Sequence, residues 1–531
     1  MTFSISRRNF MLMSSGFALA GTLGQLRPAM AAESIDSITW AMSNIPQNLF
    51  IPHNWSTDVG EIMSLVQEGP LLFGDDLKMV PGPALSWTLT DPTTAVYKLR
   101  PGVTFSDGSP LTTDDFVATV KYHLDPNSGS QLSSFFSSIK DVTATAADEV
   151  TITLKAPDAQ FPYWAPHMAG YLFKKDQLGD TTDLGSPDQF VIGTGPYKVT
   201  EFDPTQKVVL EARSDYWGGA PVIKKITLVS IPDAQTRILA VQKGDADGSF
   251  NVDISNIDQW KSLSNATVYT TPSLGSFLIT LDQSTAPFDD VHVRRAIAYS
   301  VDRDGLVKSL LKGNGVPLQT INPIEMWTGV LAPDDVKAFY ATLPTYAFDL
   351  AKAKDELSQS AHASGFDFTV EMSSAQPDMV NSLQTLSQNL KGLGVNMTVK
   401  EVDANAWLAT YFKHEDLGMQ GMNYYPDFPD PAAYPKLFFH SQNAIPNGMN
   451  ASNFKNTDVD KLIDAADQSS DPAARADALK KMMAIALDQV AVVPLYSPFD
   501  AMVLNNKYQL TGYSAFWYNI PWAMRGFTAK A

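Results

Sequence analysis

The sequence contains no cysteine, which excludes disulfides, thiolate nucleophiles, Cys-ligated zinc and a lipidated amino-terminal cysteine. Histidine is scarce: seven residues, at 53, 123, 167, 292, 362, 414 and 440, form no H-x-H or H-E-x-x-H pair, so no metal site is expected from spacing. Positive charge is also short. Lys and Arg number 39 against 57 Asp and Glu, a formal net charge of −18, which argues against nucleic acid or anionic lipid as a partner. There is no uninterrupted apolar run of the ~18 residues that would cross a bilayer. There is also no G-x-S-x-G elbow and no G-x-x-x-x-G-K phosphate loop. "GTGPY" (193–197) lacks the G-x-G-x-x-G spacing of a dinucleotide site and reads as a tight turn entering a strand. No cofactor is expected.

What stands first in the chain is an address. "SRRNFMLMSSGFALAGTLGQLRPAMAAES" joins two arginines to an apolar run broken by Ser, Gly and Thr and ends on Ala29-Met30-Ala31, the layout of a secretory signal with cleavage near Ala31. Ser6-Arg7-Arg8-Asn9-Phe10 fits the twin-arginine pattern, with the general secretory route as the alternative. Residues 1–31 hold Arg7, Arg8 and Arg27 and no acid, so the remaining chain is more acidic still. An exported, unanchored protein in the periplasm is expected, with about three domains by length.

Periodicity is clearest in the second half. "FDFTVEM" (366–372) alternates as a strand, and Met379, Leu383, Leu386, Leu390 and Leu393 form one helical stripe ended by Gly392 and Gly394. "VNMTVKEV" then alternates again, giving strand, helix, strand and a partly parallel α/β sheet. Asp403 caps a helix carrying Trp407, Leu408, Tyr411 and Phe412, and "LGMQGMNYY" reads as the next strand. Further helices begin at Thr112–Asp115, Asp233, Asp290 and Asp302, and "VTITLKA" and "KKITLVSI" alternate as strands. The chain is mixed α and β throughout.

At the end of that next strand stands "MNYYPDFPDP" (422–431). Pro426, Pro429 and Pro431 exclude a helix or a central strand, so this is a stiff loop at the sheet edge where α/β proteins bind ligands. Asp427 and Asp430 beside Tyr424, Tyr425 and Phe428 suit glycosidase chemistry, a metal site, a clamp for a cationic ligand, or a solvated loop.

Several stretches together resemble family 5 extracytoplasmic solute-binding proteins, the periplasmic receptors of peptide, nickel and related ABC importers. They are "LRPGVTFSDGSPLTTDDFVATVKY" (99–122), "GTGPYKVTEFDPTQKVVLEARSDYWGGAP" (193–221), "IPDAQTRILAVQKGDAD" (231–247), "PFDDVHVRRAIAYSVDRDGLV" (287–307) and "DFPDPAAY". The resemblance implies an α/β, periplasmic binding protein type II clamshell. Residues 32–77, 189–284 and 498–531 would form lobe I, 78–188 an inserted extra lobe and 285–497 lobe II, with hinge crossings near 284 and 497.

Site residues follow from the same resemblance. Asp427 would pair with a ligand's α-ammonium, while Asp430 before Pro431 would be a structural acid. Trp407 would line the pocket, Tyr424 and Tyr425 would face the cleft, Phe250 and Asn251 would approach from lobe I, and Tyr496 would lie at the lobe II exit. A non-enzymatic, monomeric receptor for a small solute, foremost a peptide, is expected to deliver it to ABC permease subunits. The alternatives are a sugar, opine-like or metal-chelate receptor and, more remotely, a secreted glycosidase using Asp427 and Asp430.

Overall fold

The computed structural model describes residues 34–530, and the leader reading of residues 1–31 lies outside them. Apolar burial gathers in two large cores. One holds Trp40, Phe50, Ile62, Phe116, Ile152, Trp164, Leu228 and Trp522, and the other holds Leu278, Val293, Leu383, Tyr411, Leu479 and Val493. Each core backs one α/β lobe. A smaller cluster around Ile238, Trp260 and Val503 supports the outer side of the first.

The inserted lobe is a four-stranded antiparallel sheet in the order Ala84–Asp91, Thr94–Leu99, Glu149–Leu154, Ile139–Ala146. Helix Thr113–Leu124 covers it, burying Phe116 and Val120 in the first core. This helix starts where "PLTTDD" says it should. Thr112 accepts from the Asp115 amide while the Asp115 carboxylate accepts from the Thr112 amide at 2.9 Å, a reciprocal cap that satisfies two end groups at once. The "DYWGG" stretch is likewise architectural: the Tyr216 hydroxyl and Trp217 indole donate to buried Glu68 at 2.5 and 2.9 Å. Without those donors a buried carboxylate would keep its desolvation cost.

Two chain segments cross between the lobes, and one of them is a single long strand. Val493–Asn505 is buried along most of its length, as a central strand with both faces covered should be. Its first part pairs with Ser276–Leu281 and Gly315–Pro317 over the second core. Its last part pairs with Ala266–Pro272 and Gly248–Ser249 over the first. The change of partners falls on "SPFD", where Phe499 and Asp500 are only half-buried. The companion crossing is Ser273–Gly275, and the Ser273 and Ser497 hydroxyls lie 3.4 Å apart.

The strand–helix–strand reading of 366–402 holds: Asp367–Ser373 and Asn396–Val402 pair in parallel, and helix Pro377–Lys391 buries Met379, Leu383, Leu386 and Leu390. The next strand, Met419–Tyr424, does not extend that pair. It runs antiparallel to Ser276–Leu281 at the edge of the large sheet. Residue alternation fixes which face a strand buries but not which neighbour it joins, and the partner here is a fully buried strand that begins 143 residues earlier in the chain, at Ser276 against Met419.

Candidate functional site

The loop after Met419–Tyr424 is built around its second acid. Asp430 is 0% exposed, and both its oxygens lie 2.8 Å from Nη2 of Arg475, itself buried. Asp430 also accepts from the Ala432 amide at 2.9 Å. Arg475 donates onward from Nε to the Ala466 carbonyl at 3.0 Å, and Asn322 donates to the Pro431 carbonyl at 2.7 Å. The Tyr434 hydroxyl lies 2.7 Å from the carbonyls of both Leu274 and Tyr424, tying the loop to the crossing segment. Phe428 stacks face to face with Tyr163 of the inserted lobe, 5.2 Å between centroids at 9°.

Asp427 is placed differently. It is half-buried, and among the described residues its carboxylate has no hydrogen-bond or ion-pair partner; burial alone pushes it up to about 6. The reason is local. Prolines at 426, 429 and 431 carry no N–H, so the loop cannot cap Asp427 from its own backbone. The two acids are therefore not an acid–base pair: one is held in a buried ion pair and one is free.

Two adjoining cavities, of about 370 and 220 Å³, open beside this loop and share Tyr425, Asp500 and Trp517 in their walls. The loop contributes Tyr425 and Pro426, the first lobe contributes Asp58 and Asn251, and the carboxy-terminal segment contributes Phe516, Trp517 and Tyr518. Tyr425 is 47% exposed, but into this space. Its ring approaches the backbone of the crossing so closely that a Cβ at Gly275 would fall 2.5 Å from it. Phe250 stacks on Trp517 at 3.9 Å and 16°, and packs against Trp40 at 4.9 Å. Glycine at 248 is what lets Trp40 sit there, since a Cβ would meet its ring at 2.2 Å.

Of the residues expected from the sequence, Tyr425, Phe250 and Asn251 line the cavities. Asn251 also accepts from the Ser43 amide at 2.8 Å. Asp427 and Tyr424 are not in the wall themselves but adjoin Tyr425 and Pro426, which are, and Tyr424 is edge-on to Tyr434 and Phe438. Trp407 is 3% exposed in the second core against Tyr411, its indole N–H without a partner. Tyr496 is buried, stacked on Phe277 with its hydroxyl 3.0 Å from Ser382. Neither is in the cavity wall.

Asp500 escaped the sequence reading. It lines both cavities, and burial pushes its carboxyl up to about 7. A signal existed: it is the sole charged residue in the thirteen-residue run Val493–Asn505. Trp517 was likewise missed, because nothing in "SAFWYN" separates a cavity wall from a core aromatic.

A family model for bacterial extracellular solute-binding proteins, family 5, matches residues 78–445. The oligopeptide-binding protein OppA of Bacillus subtilis is 25% identical over 447 residues, covering 78% of this chain and 79% of that protein. The glutathione-binding protein GsiB of Escherichia coli is 27% identical over 457 residues, covering 83% and 85%. Among solved structures, the ABC transporter substrate-binding protein CtaP of Listeria monocytogenes superposes with a TM-score of 0.81 at 21% identity, over 94% of this chain and all of that one.

Proposed function

The chain belongs to the family 5 bacterial extracellular solute-binding proteins, and from that premise we propose that it encloses a small peptide between its lobes and delivers it to the permease of an ABC importer. The observation that carries the peptide reading is the Asp427 carboxylate, half-buried and without a partner beside an aromatic-walled cavity. An unpaired carboxylate in that setting is stabilised by an arriving ammonium and by nothing the fold itself offers. Named relatives that bind an oligopeptide and glutathione support the same class of ligand.

Magnitudes assign the remaining work. One charge-assisted hydrogen bond contributes about 1.5–3 kcal/mol, whereas micromolar affinity needs about 8 kcal/mol. Enclosure by Tyr425, Phe250 and Trp517 would supply the balance through burial and stacking. Backbone pairing of the ligand in strand fashion would admit mixed sequences. The lobes would rotate where the long strand changes partners, around Ser497–Asp500 and Ser273–Gly275, with 78–188 riding on lobe I. Export through residues 1–31, by the twin-arginine or the general secretory route, and action as a monomer without enzymatic turnover complete the proposal. The aromatic stack of Phe250 on Trp517 also suits a sugar or opine-like conjugate, which is the second reading.

The test is the pH dependence of binding. A ligand ammonium needs Asp427 ionised, and the free carboxyl sits at about 6. The affinity for tri-alanine, measured by calorimetry, should be level near pH 7.5 and fall about tenfold by pH 5 as the proton competes. Affinity independent of pH across that range would remove Asp427 as the counter-charge.

A further inference from the structure

The cavity walls contain four carboxylates, from Asp58, Asp253, Asp378 and Asp500, and no lysine, arginine or histidine. Arg237, in the adjoining opening beside Phe250 and Asn251, donates from its two terminal nitrogens to the carbonyls of Ile231, Pro232 and Asn251, and its Nε has no partner. A ligand carboxylate entering this space would therefore meet four acids in the walls, with Arg237 the one cation lining the adjoining opening.

Asp500 differs from the other three acids in position: it lies on the joining strand, where the two cavities meet, and like them its carboxylate has no hydrogen-bond or ion-pair partner among the described residues. Burial holds the phenols of Tyr425, Tyr513 and Tyr518 protonated, and the Asp500 charge adds to that.

We propose that Asp500 is a second cation-receiving carboxylate, so that the ligand is a peptide carrying a basic side chain in addition to its amino terminus. This rests on the receptor reading above and narrows it. Asp427 would receive one positive group and Asp500 the other, while the remaining acids reject anionic ligands through like-charge repulsion and the absence of any cationic partner in these walls. Acidic walls would also speed the approach of such a ligand.

The experiment is calorimetric titration of the purified protein with tri-lysine, tri-alanine and tri-glutamate, repeated on Asp500→Asn. Tri-lysine should bind about tenfold or more tighter than tri-alanine, the effect of one charge-assisted hydrogen bond, and tri-glutamate should bind weakest. Asp500→Asn should bring the ratio of tri-lysine to tri-alanine affinity down to about one. If the parent protein binds tri-lysine and tri-alanine equally, the inference fails while the peptide reading stands. The same holds if Asp500→Asn keeps the full preference. If none of the three binds, the peptide reading fails and this inference with it. The comparison among probes on the parent protein stands whether or not the variant folds.

Discussion

Asp430→Ala should cost about 3–5 kcal/mol of folding stability, the range for removing one partner of a buried ion pair. The carboxylate is fully buried between Arg475 and the Ala432 amide. Its loss strands a guanidinium in the protein interior and removes the cap that turns the chain before Pro431. The arrangement also makes a second variant informative. Replacing Asp430 and Arg475 together with apolar residues of similar volume should recover a large part of the loss, because the desolvation cost disappears with the charges. Urea unfolding of the two variants beside the parent measures both effects. Parent-like stability for Asp430→Ala would mean that the pair contributes nothing and that the loop is held from elsewhere.

Asp427→Ala should do the opposite: leave the fold intact and weaken binding of a cationic peptide by about 2–5 kcal/mol, the range for truncating one partner of a buried charged pair. The sign of the stability effect follows from the pKa. Asp427 titrates at about 6 when folded, above the ~3.9 of a free aspartate, so the folded state holds its proton more tightly than the unfolded chain. That contribution is present in acid and is lost as pH rises through 6. At neutral pH the ionised group therefore burdens the empty protein, and its removal should leave the melting temperature unchanged or slightly higher. The pattern of lost affinity without lost stability is that of a group placed for a ligand. A variant that binds tri-lysine like the parent would show that the carboxylate faces no ligand cation. The contrast with Asp430, three residues away, is the sharpest feature of the loop, since two like residues in one turn are expected to fail in different assays.

What the sequence made legible was local. The stripe from Met379 to Leu393 specified a helix because a 3.6-residue period has one simple structural solution. The same is true of the cap at Thr112, where hydroxyl and carboxylate three positions apart satisfy each other. The structural role expected of Asp430 came from family resemblance, and its buried ion pair supplies the physical basis. Asp430 has a guanidinium partner 45 residues further along, which no local pattern could assign. The antiparallel pairing of Met419–Tyr424 with Ser276–Leu281 was also hidden, since alternation is blind to partner choice. Trp407 illustrates the opposite difficulty. An aromatic on a helix reads the same from sequence whether it walls a cavity or fills a core, and here it is buried in the second core. Asp500 was legible in principle, as a lone charge within an apolar strand, but its meaning depends on where that strand passes from one core to the other.

The most direct test is native mass spectrometry of the protein purified, without added ligand, from cells that export it. A receptor that closes over its solute should carry some of that solute through gentle purification. The account predicts a bound mass that fragments as a short peptide with at least one lysine or arginine. A bound molecule with no amine, such as a neutral carbohydrate, would contradict it.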